Sequence, residues 1–139
     1  MSDLWGLLRS RQMGILATIK RDGRPQLSTV IYAIDPVEPM LRVSITDTRA
    51  KTHNMRRDPR VALHVPTEDL WDYVVAEADA RLSPVAATPD DATVEELIEV
   101  YRAISGSEHP DWDDYRRAMV EDRRLVLHLR VDRLYGRAG

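Results

Sequence analysis

The sequence lacks the residues on which several kinds of protein chemistry depend. It contains no cysteine, so disulfide bridges, thiolate metal sites and thiol nucleophiles are excluded. Its four histidines are scattered, and because no two stand at the spacing of metal ligands, we do not expect a zinc site. There is also no serine in a nucleophile elbow and no glycine-rich phosphate loop. Any reaction must therefore be carried largely by a bound cofactor.

An excess of positive charge is also missing. The 20 lysines and arginines are outnumbered by 23 aspartates and glutamates, which gives a formal net charge of -3. Because nucleic-acid-binding proteins are usually basic, we do not expect a nucleic-acid partner. No apolar run is long enough to span a bilayer, and the start of the chain lacks the features of a signal peptide. We therefore expect a cytoplasmic protein with no membrane partner, folded as a single domain over residues 1–139.

What the sequence does contain is a series of short segments in which apolar and polar residues alternate, the pattern of half-buried strands. The clearest two, 14–20 and 25–34, flank Asp22-Gly23, a dipeptide that is typical of tight hairpin turns. Further strands are predicted at 40–46, 61–65, 72–82 and 124–136. In the 40–46 strand the apolar residues face one way, and the polar residues Arg42, Ser44 and Thr46 face the other.

Helices are predicted at the start of the chain and in its second half. A short amphipathic helix follows Asp3, a longer one is expected within 88–105 with Thr88 as its cap, and another begins at Pro110-Asp111. The glutamates of the long helix (Glu95, Glu96 and Glu99) are interpreted as a solvated face. About six strands with late helices and no β-α-β alternation favour a mainly β (α+β) fold, a small antiparallel barrel with flanking helices.

The segment 46–60 concentrates positive charge in an otherwise acidic chain. It is predicted to form a short helix capped by Thr48, with Arg49 and Lys51 in its first turn. Cations are unfavourable at this end of a helix by roughly 0.3–1 kcal/mol each, because the helix N-terminus is already partially positive. A bound anion would reverse the sign of that interaction, and phosphate is the natural candidate.

The remaining cations of this segment have a simpler interpretation. Arg56, Arg57 and Arg60 are expected to be surface residues, with Asp47 or Asp58 available to pair with them. They are therefore left out of the predicted anion site.

Several stretches resemble one protein family in matching order along nearly the whole chain. They are GILATIKRDGRPQLSTV (14–30), VSITDTRAKTHNMRRDPRVAL (43–63), WDYVVAEADARL (71–82) and DDYRRAMVEDRRLVLHL (113–129). With these, the chain resembles the pyridoxamine 5'-phosphate oxidase-like split β-barrel family, and in particular its actinobacterial branch of F420-dependent oxidoreductases. The resemblance implies an antiparallel split barrel that forms a homodimer, with a flavin or deazaflavin in a groove between the protomers.

The resemblance also implies which residues bind the cofactor. Arg49, Lys51 and Thr52 correspond to the contacts with the cofactor phosphate, and Asn54 to a residue that orients their turn. The other implied groove residues are Pro25, Gln26, Ser28, Ser44 and Thr46, with Trp71 and Tyr73 reaching in from the partner subunit. Alternatives stay open at this stage: the strand residues fit an ordinary solvent face, and Trp71 fits an interface or core anchor equally well.

The activity implied is hydride transfer from reduced coenzyme F420 to an electron-poor small molecule. FMN is the competing cofactor, in an enzyme similar to pyridoxamine 5'-phosphate oxidase, and a non-catalytic cofactor carrier is a further alternative. Arg130, Arg133 and Arg137 do not reproduce the basic and aromatic C-terminal pattern of the true oxidases, so oxidation of vitamin B6 is not expected. The proton donor is left open between backbone N–H groups, Ser28 and water.

Overall fold

The computed structural model of the protein describes residues 3–139. Its elements, in chain order, are α1 (Leu4–Ser10), β1 (Met13–Ile19), β2 (Pro25–Ile31), β3 (Ala33–Ile34), β4 (Met40–Thr46), α2 (Ala50–Arg57), β5 (Arg60–Pro66), β6 (Tyr73–Leu82), α3 (Ala92–Ser105), α4 (Trp112–Glu121) and β7 (Arg124–Arg137).

All strands belong to one seven-stranded sheet with the order β2-β1-β5-β6-β7-β4-β3. Every neighbouring pair is antiparallel. Strands β2 and β3 lie at opposite edges of this order, yet a single residue, Tyr32, separates them in the chain. The sheet must therefore curl until its two edges approach each other, and β2 does contact β4. The result is an antiparallel split barrel with four helices, which confirms the predicted mainly β class.

The barrel interior is filled by the apolar halves of the alternating strands. Leu41, Val43 and Ile45 of β4 are at most 2% exposed, and the leucines of β7 that face them are fully buried. A second apolar cluster lies outside the barrel, where α3 and α4 pack on Ala33 and Val126. The outer face of β4 and β7 is therefore divided by the helices that cover Val126.

The predicted strand 25–34 is interrupted at Tyr32. This buried side chain donates its hydroxyl hydrogen bond to the Leu8 carbonyl at 2.6 Å, and its backbone N–H bonds to the Gln12 carbonyl. These contacts with α1 and its linker divide the segment into two strands, which is why seven strands are present where about six were predicted. The hairpin turn between β1 and β2 is as expected, with Gly23 at a positive φ of 87°.

Two predicted helix caps are wrong. Helix α3 is capped by Asp91, whose carboxylate accepts the Val94 N–H at 2.9 Å, and the helix begins four positions after the expected Thr88. Helix α2 has Arg49 at its N-cap position, with no side-chain cap, and Thr48 plays no capping part. The helices predicted to start after Asp3 and at Pro110-Asp111 are present as α1 and α4, and Asp3 and Asp111 are their N-caps.

Candidate functional site

A groove runs beside the split of the barrel, between edge strand β2 and the outer face of β4. Its volume is about 570 Å³. It is lined by residues 28–31, 43–46, Arg49, Lys51, Ile104 and Arg124. Five of the residues that the resemblance assigned to a cofactor groove meet here: Ser28, Ser44, Thr46, Arg49 and Lys51.

The alternation of β4 explains how Ser44 and Thr46 reach the groove. Because Val43 and Ile45 are buried in the barrel, the residues beside them face outward. The connection from Thr46 to α2 is short, so Arg49 and Lys51 follow immediately at the end of the same strand. The Thr52 hydroxyl fixes this connection by donating to the Thr46 carbonyl at 2.7 Å.

Arg124 is a groove residue that the sequence analysis missed. It stands opposite Thr46 in the β4–β7 register, and its Nη1 lies 3.4 Å from both the carbonyl oxygen and the hydroxyl of Ser44. Its position on the polar side of an alternating strand was visible in the sequence. Its partner strand was not, because β4 and β7 are far apart in the chain.

Three cations of the groove have no carboxylate partner among residues 3–139. Arg49, Lys51 and Arg124 take part in none of the ion pairs found there, although nearby Asp47 holds Arg56 at 2.6 Å and Arg123 at 3.0 Å. Burial lowers the pKa of Lys51 below its ordinary value of 10.5, and the charges of Arg49 and Arg124 lower it further. The groove is therefore electropositive and is not neutralised by the acids close to it.

The other basic residues of this segment have partners in the protein, and Arg56 and Arg60 pair with Asp47 and Asp58 as predicted. Arg60 bonds to Asp58 at 2.8 Å, and this contact holds the pKa of Asp58 at about 2. Arg57 donates to the Ile19 carbonyl and to the Asn54 side chain, both at 3.0 Å. Arg57 thereby ties α2 to β1, whereas the contact between Arg60 and Asp58 is local, and neither arginine lines the groove.

The first turn of α2 adds backbone donors to the three cations. The turn contains no acidic residue, and its N-cap side chain makes no hydrogen bond to the helix. The leading N–H groups of a helix have no intrahelical acceptor, and they carry the positive end of the helix dipole. An anion in the groove would meet cations and backbone donors together.

Asn54 and Gln26 support the site instead of lining this groove. The Asn54 amide donates to Gln26 Oε1 at 2.8 Å and to the Thr18 hydroxyl at 3.1 Å. Asn54 is only 7% exposed, so this network ties α2 to the β1–β2 hairpin. Pro25, which pairs with Ile19 at the start of β2, does not line the groove of the protomer either.

The two aromatic residues assigned to the partner subunit lie away from the groove of their own chain. Trp71 is 72% exposed in the loop between β5 and β6. Tyr73 packs against His64, with ring centroids 5.6 Å apart. Their assignment to the groove of a second copy stays a prediction.

The donor set fits a phosphate-bearing cofactor. Besides the cations, Ser28 Oγ is buried in the wall of the groove without a hydrogen-bond partner, a costly state that a polar ligand atom would relieve. Within residues 3–139, no cluster of three metal-ligating side chains occurs. In that same part of the chain, no helix has the length and apolarity needed to cross a membrane.

The family model for pyridoxamine 5'-phosphate oxidase matches residues 5–138. The chain belongs to this family. The family includes flavin-binding oxidoreductases, and the split barrel of this member agrees with the resemblance found in its sequence.

Several solved structures share the fold of this family member. An F420 reductase is 23% identical over 97% of this chain and 98% of its own, with a TM-score of 0.68. A conserved hypothetical protein, Rv2991 from Mycobacterium tuberculosis, is 23% identical over 98% of this chain and 84% of its own, with a TM-score of 0.74. A heme binding protein from Mycobacterium smegmatis is 21% identical over 96% of this chain and 51% of its own, with a TM-score of 0.66. At these identities the likeness shows the fold alone.

Proposed function

We propose that this protein is an F420-dependent oxidoreductase whose cofactor phosphate is bound by Arg49, Lys51 and Arg124. The observation that carries the proposal is the convergence of these three cations, unpaired among residues 3–139, beside the first turn of α2. Charge-assisted hydrogen bonds to a phosphate are stronger than neutral ones. In a partly enclosed groove, fewer water molecules compete for these bonds, so they are strengthened further. The likeness to an F420 reductase over nearly the full length of both chains supports the choice of cofactor.

The protein's own part in the reaction is binding and orientation. When bound, the reduced deazaflavin supplies a hydride for transfer to an electron-poor small molecule. Ser44 and Thr46 would line the cofactor along β4, while the unpartnered Ser28 hydroxyl would hydrogen-bond to it from β2. Holding cofactor and substrate at reacting distance is a large source of rate enhancement, and water would supply the proton that completes the reduction.

FMN is the second candidate cofactor, because the same cations suit its phosphate and the family is named for an oxidase. A carrier that binds the cofactor without turnover is the third candidate. Two assays distinguish the F420-dependent reductase, the FMN-dependent oxidase and the carrier. The first follows the absorbance of reduced F420 in the presence of a panel of activated alkenes, and the second measures oxygen consumption with FMN. F420 oxidation that depends on an alkene supports the proposal. Oxygen consumption with FMN points to the oxidase, and tight binding without turnover in either assay points to the carrier.

We also propose a homodimer formed through the outer face of β1 and β2. This face exposes Met13, Ile15, Leu27 and Ile31 by 39–64%, and Met13 pairs directly with Ile31 across the strands. Contiguous apolar residues on an exposed sheet face are typical of interaction sites. Because Ile31 also lines the groove, a second copy on this face would wall the cofactor site and bring its own Trp71 and Tyr73 within range. We further propose that the protein is cytoplasmic.

A further inference from the structure

A second cleft lies on the outer face of β4, β7 and β6, with a volume of about 840 Å³. It shares the face of β4 and β7 with the cofactor groove, but Val126 and the helices that pack on it stand between the two. Glu96 of α3 forms part of its wall. Neither the family resemblance nor the proposed reaction uses this cleft.

Basic side chains are concentrated on the floor of the cleft. In the strand register Arg42 stands opposite His128, and His128 stands opposite Arg81. Arg130, two residues beyond His128 on β7, faces the same way. Positive charges crowded on one face of a sheet repel one another, so the three arginines of this group, Arg42, Arg81 and Arg130, require compensation.

Half of this basic group is compensated by α3. Glu96 accepts from Arg42 at 3.4 Å and contacts His128 Nε2 at 2.7 Å, and Glu99 accepts from Arg42 at 3.1 Å. The expected solvated face of α3 is thus wrong for Glu96, which faces the sheet. Even so, Arg42 Nε and His128 Nδ1 remain buried without partners, which shows that protein groups do not saturate the cluster.

The other half of the group is uncompensated. Within residues 3–139, Arg81 and Arg130 take part in no ion pair and in no side-chain hydrogen bond. Asp79 stands opposite Arg130 in the register, but it does not pair with it. The two guanidinium groups project from diagonal positions of adjacent strands, a separation that long side chains span readily.

We propose that this cleft binds a small organic carboxylate, held by Arg81 and Arg130. A planar guanidinium matches the two oxygens of a carboxylate, and Met40, which stands opposite Arg130 in the register, supplies an apolar surface for the body of the ligand. Asp79 gives the site its selectivity, since its negative charge opposes a second charge on the ligand and therefore disfavours a phosphate dianion.

The test is an NMR titration of the full chain with benzoate and, separately, with inorganic phosphate. Benzoate should shift the backbone amides of residues 79–81 and 128–130 and leave those of residues 44–51 unmoved. The variant Arg81→Ala/Arg130→Ala should bind benzoate at least about tenfold more weakly, since it loses both charge-assisted contacts. The matched control is Arg21→Ala/Arg24→Ala, which removes the same charge from the exposed β1–β2 turn and should bind as the natural chain does.

The variant Asp79→Asn tests the proposed selectivity. Because it removes the negative charge that opposes a phosphate dianion, inorganic phosphate should bind to this variant and not to the natural chain. The proposal is overturned if benzoate causes no shifts up to about 10 mM, a range that covers millimolar affinities. It is equally overturned if the Arg81/Arg130 variant and its control bind benzoate alike, or if the shifts appear in residues 44–51 instead.

Discussion

Arg124 shows how a single residue can complete a site that the chain assembles from distant parts. It lies beside Arg49 and Lys51 in the groove, and none of the three is neutralised by a carboxylate of residues 3–139. Its neighbour Arg123, by contrast, pairs with Asp47 at 3.0 Å. The two adjacent arginines therefore differ in role: Arg124 is available to a ligand, whereas Arg123 stabilises the fold through Asp47.

Replacement of Arg124 should weaken cofactor binding specifically. Arg124→Gln is expected to reduce cofactor affinity by roughly 1.5–3 kcal/mol, the usual worth of a hydrogen bond to a charged group. Fluorescence titration measures it, with Arg123→Gln as the matched control, whose affinity should not change. Equal losses in the two variants would mean that Arg124 acts through general charge and does not contact the phosphate.

The double variant Arg49→Ala/Lys51→Ala tests the other two cations. It should lower cofactor affinity by roughly 2–4 kcal/mol, since the two contacts overlap and do not add fully. The same titration measures this loss. Unchanged affinity would show that the cofactor phosphate does not bind at Arg49 and Lys51.

Lys51 also gives the site a predictable dependence on pH. Its pKa is lowered from 10.5 by burial and by Arg49 and Arg124, and only the protonated amine attracts phosphate. Affinity should therefore be full below the lowered pKa and fall as the pH rises through it. Titrations at increasing alkaline pH measure the fall. Lys51→Arg should lack this alkaline fall, because arginine stays charged; an identical fall in that variant would assign it to another group.

Asn54 is predicted to act on stability more than on binding. Asn54→Ala should lower the free energy of unfolding by about 1–3 kcal/mol, because Thr18 and Gln26 lose a buried partner. Denaturant unfolding measures the change, and His53→Ala, at the exposed neighbouring position, is the control. A loss of cofactor affinity without a loss of stability would show that Asn54 contacts the ligand directly.

At the scale of elements, strands were easier to predict than helix ends. The alternation in β4 and β7 reports one buried and one exposed face directly, so both strands were found with nearly correct bounds. The cap of α3 is missed because Thr and Asp are both suitable residues, and only the local chain path selects between Thr88 and Asp91. The cap of α2 is missed because its N-cap position is held by Arg49, which makes no side-chain capping bond. The break at Tyr32 depends on contacts with α1, which no local pattern reports.

At one end of the β6–β7 pair, the close approach of the two strands requires a glycine. Gly136 has a φ of 144°, and an added Cβ would lie 2.2 Å from the Tyr73 carbonyl oxygen. Gly136→Ala should therefore destabilise the protein by more than Gly23→Ala, where φ is 87° but no atom is near and strain alone costs about 1–2 kcal/mol. Thermal unfolding of the two variants makes the comparison. Equal losses would show that the β6–β7 strand ends shift freely.

At the scale of the whole molecule, the family and the split barrel could be predicted from the sequence, whereas the composition of the groove could be predicted only in part. Arg49 and Lys51 were found because they share one short segment with a helix start. Arg124 depends on the β4–β7 register, and the network from Asn54 to Gln26 depends on how α2 docks. Long-range pairing of this kind is set by the packing of the whole sheet, and local patterns do not encode it.

The proposed homodimer predicts that its apolar face is sensitive to charge. Leu27→Glu should produce a monomer with weakened cofactor binding, because burying an unpaired carboxylate in the interface is costly. Val37→Glu is the control, since Val37 is 87% exposed and lies outside this face. Light scattering after gel filtration measures the mass. A Leu27→Glu protein that keeps the mass and affinity of the natural chain would place the interface elsewhere.

The central claim is that the cationic groove holds the phosphate of a deazaflavin. The most direct test is a fluorescence titration of the purified protein with oxidised F420 and, separately, with FMN, at fixed salt concentration. We expect F420 to bind much more tightly than FMN, and to lose that affinity in the Arg49→Ala/Lys51→Ala variant. Tighter binding of FMN, or no binding of either cofactor, would contradict the claim.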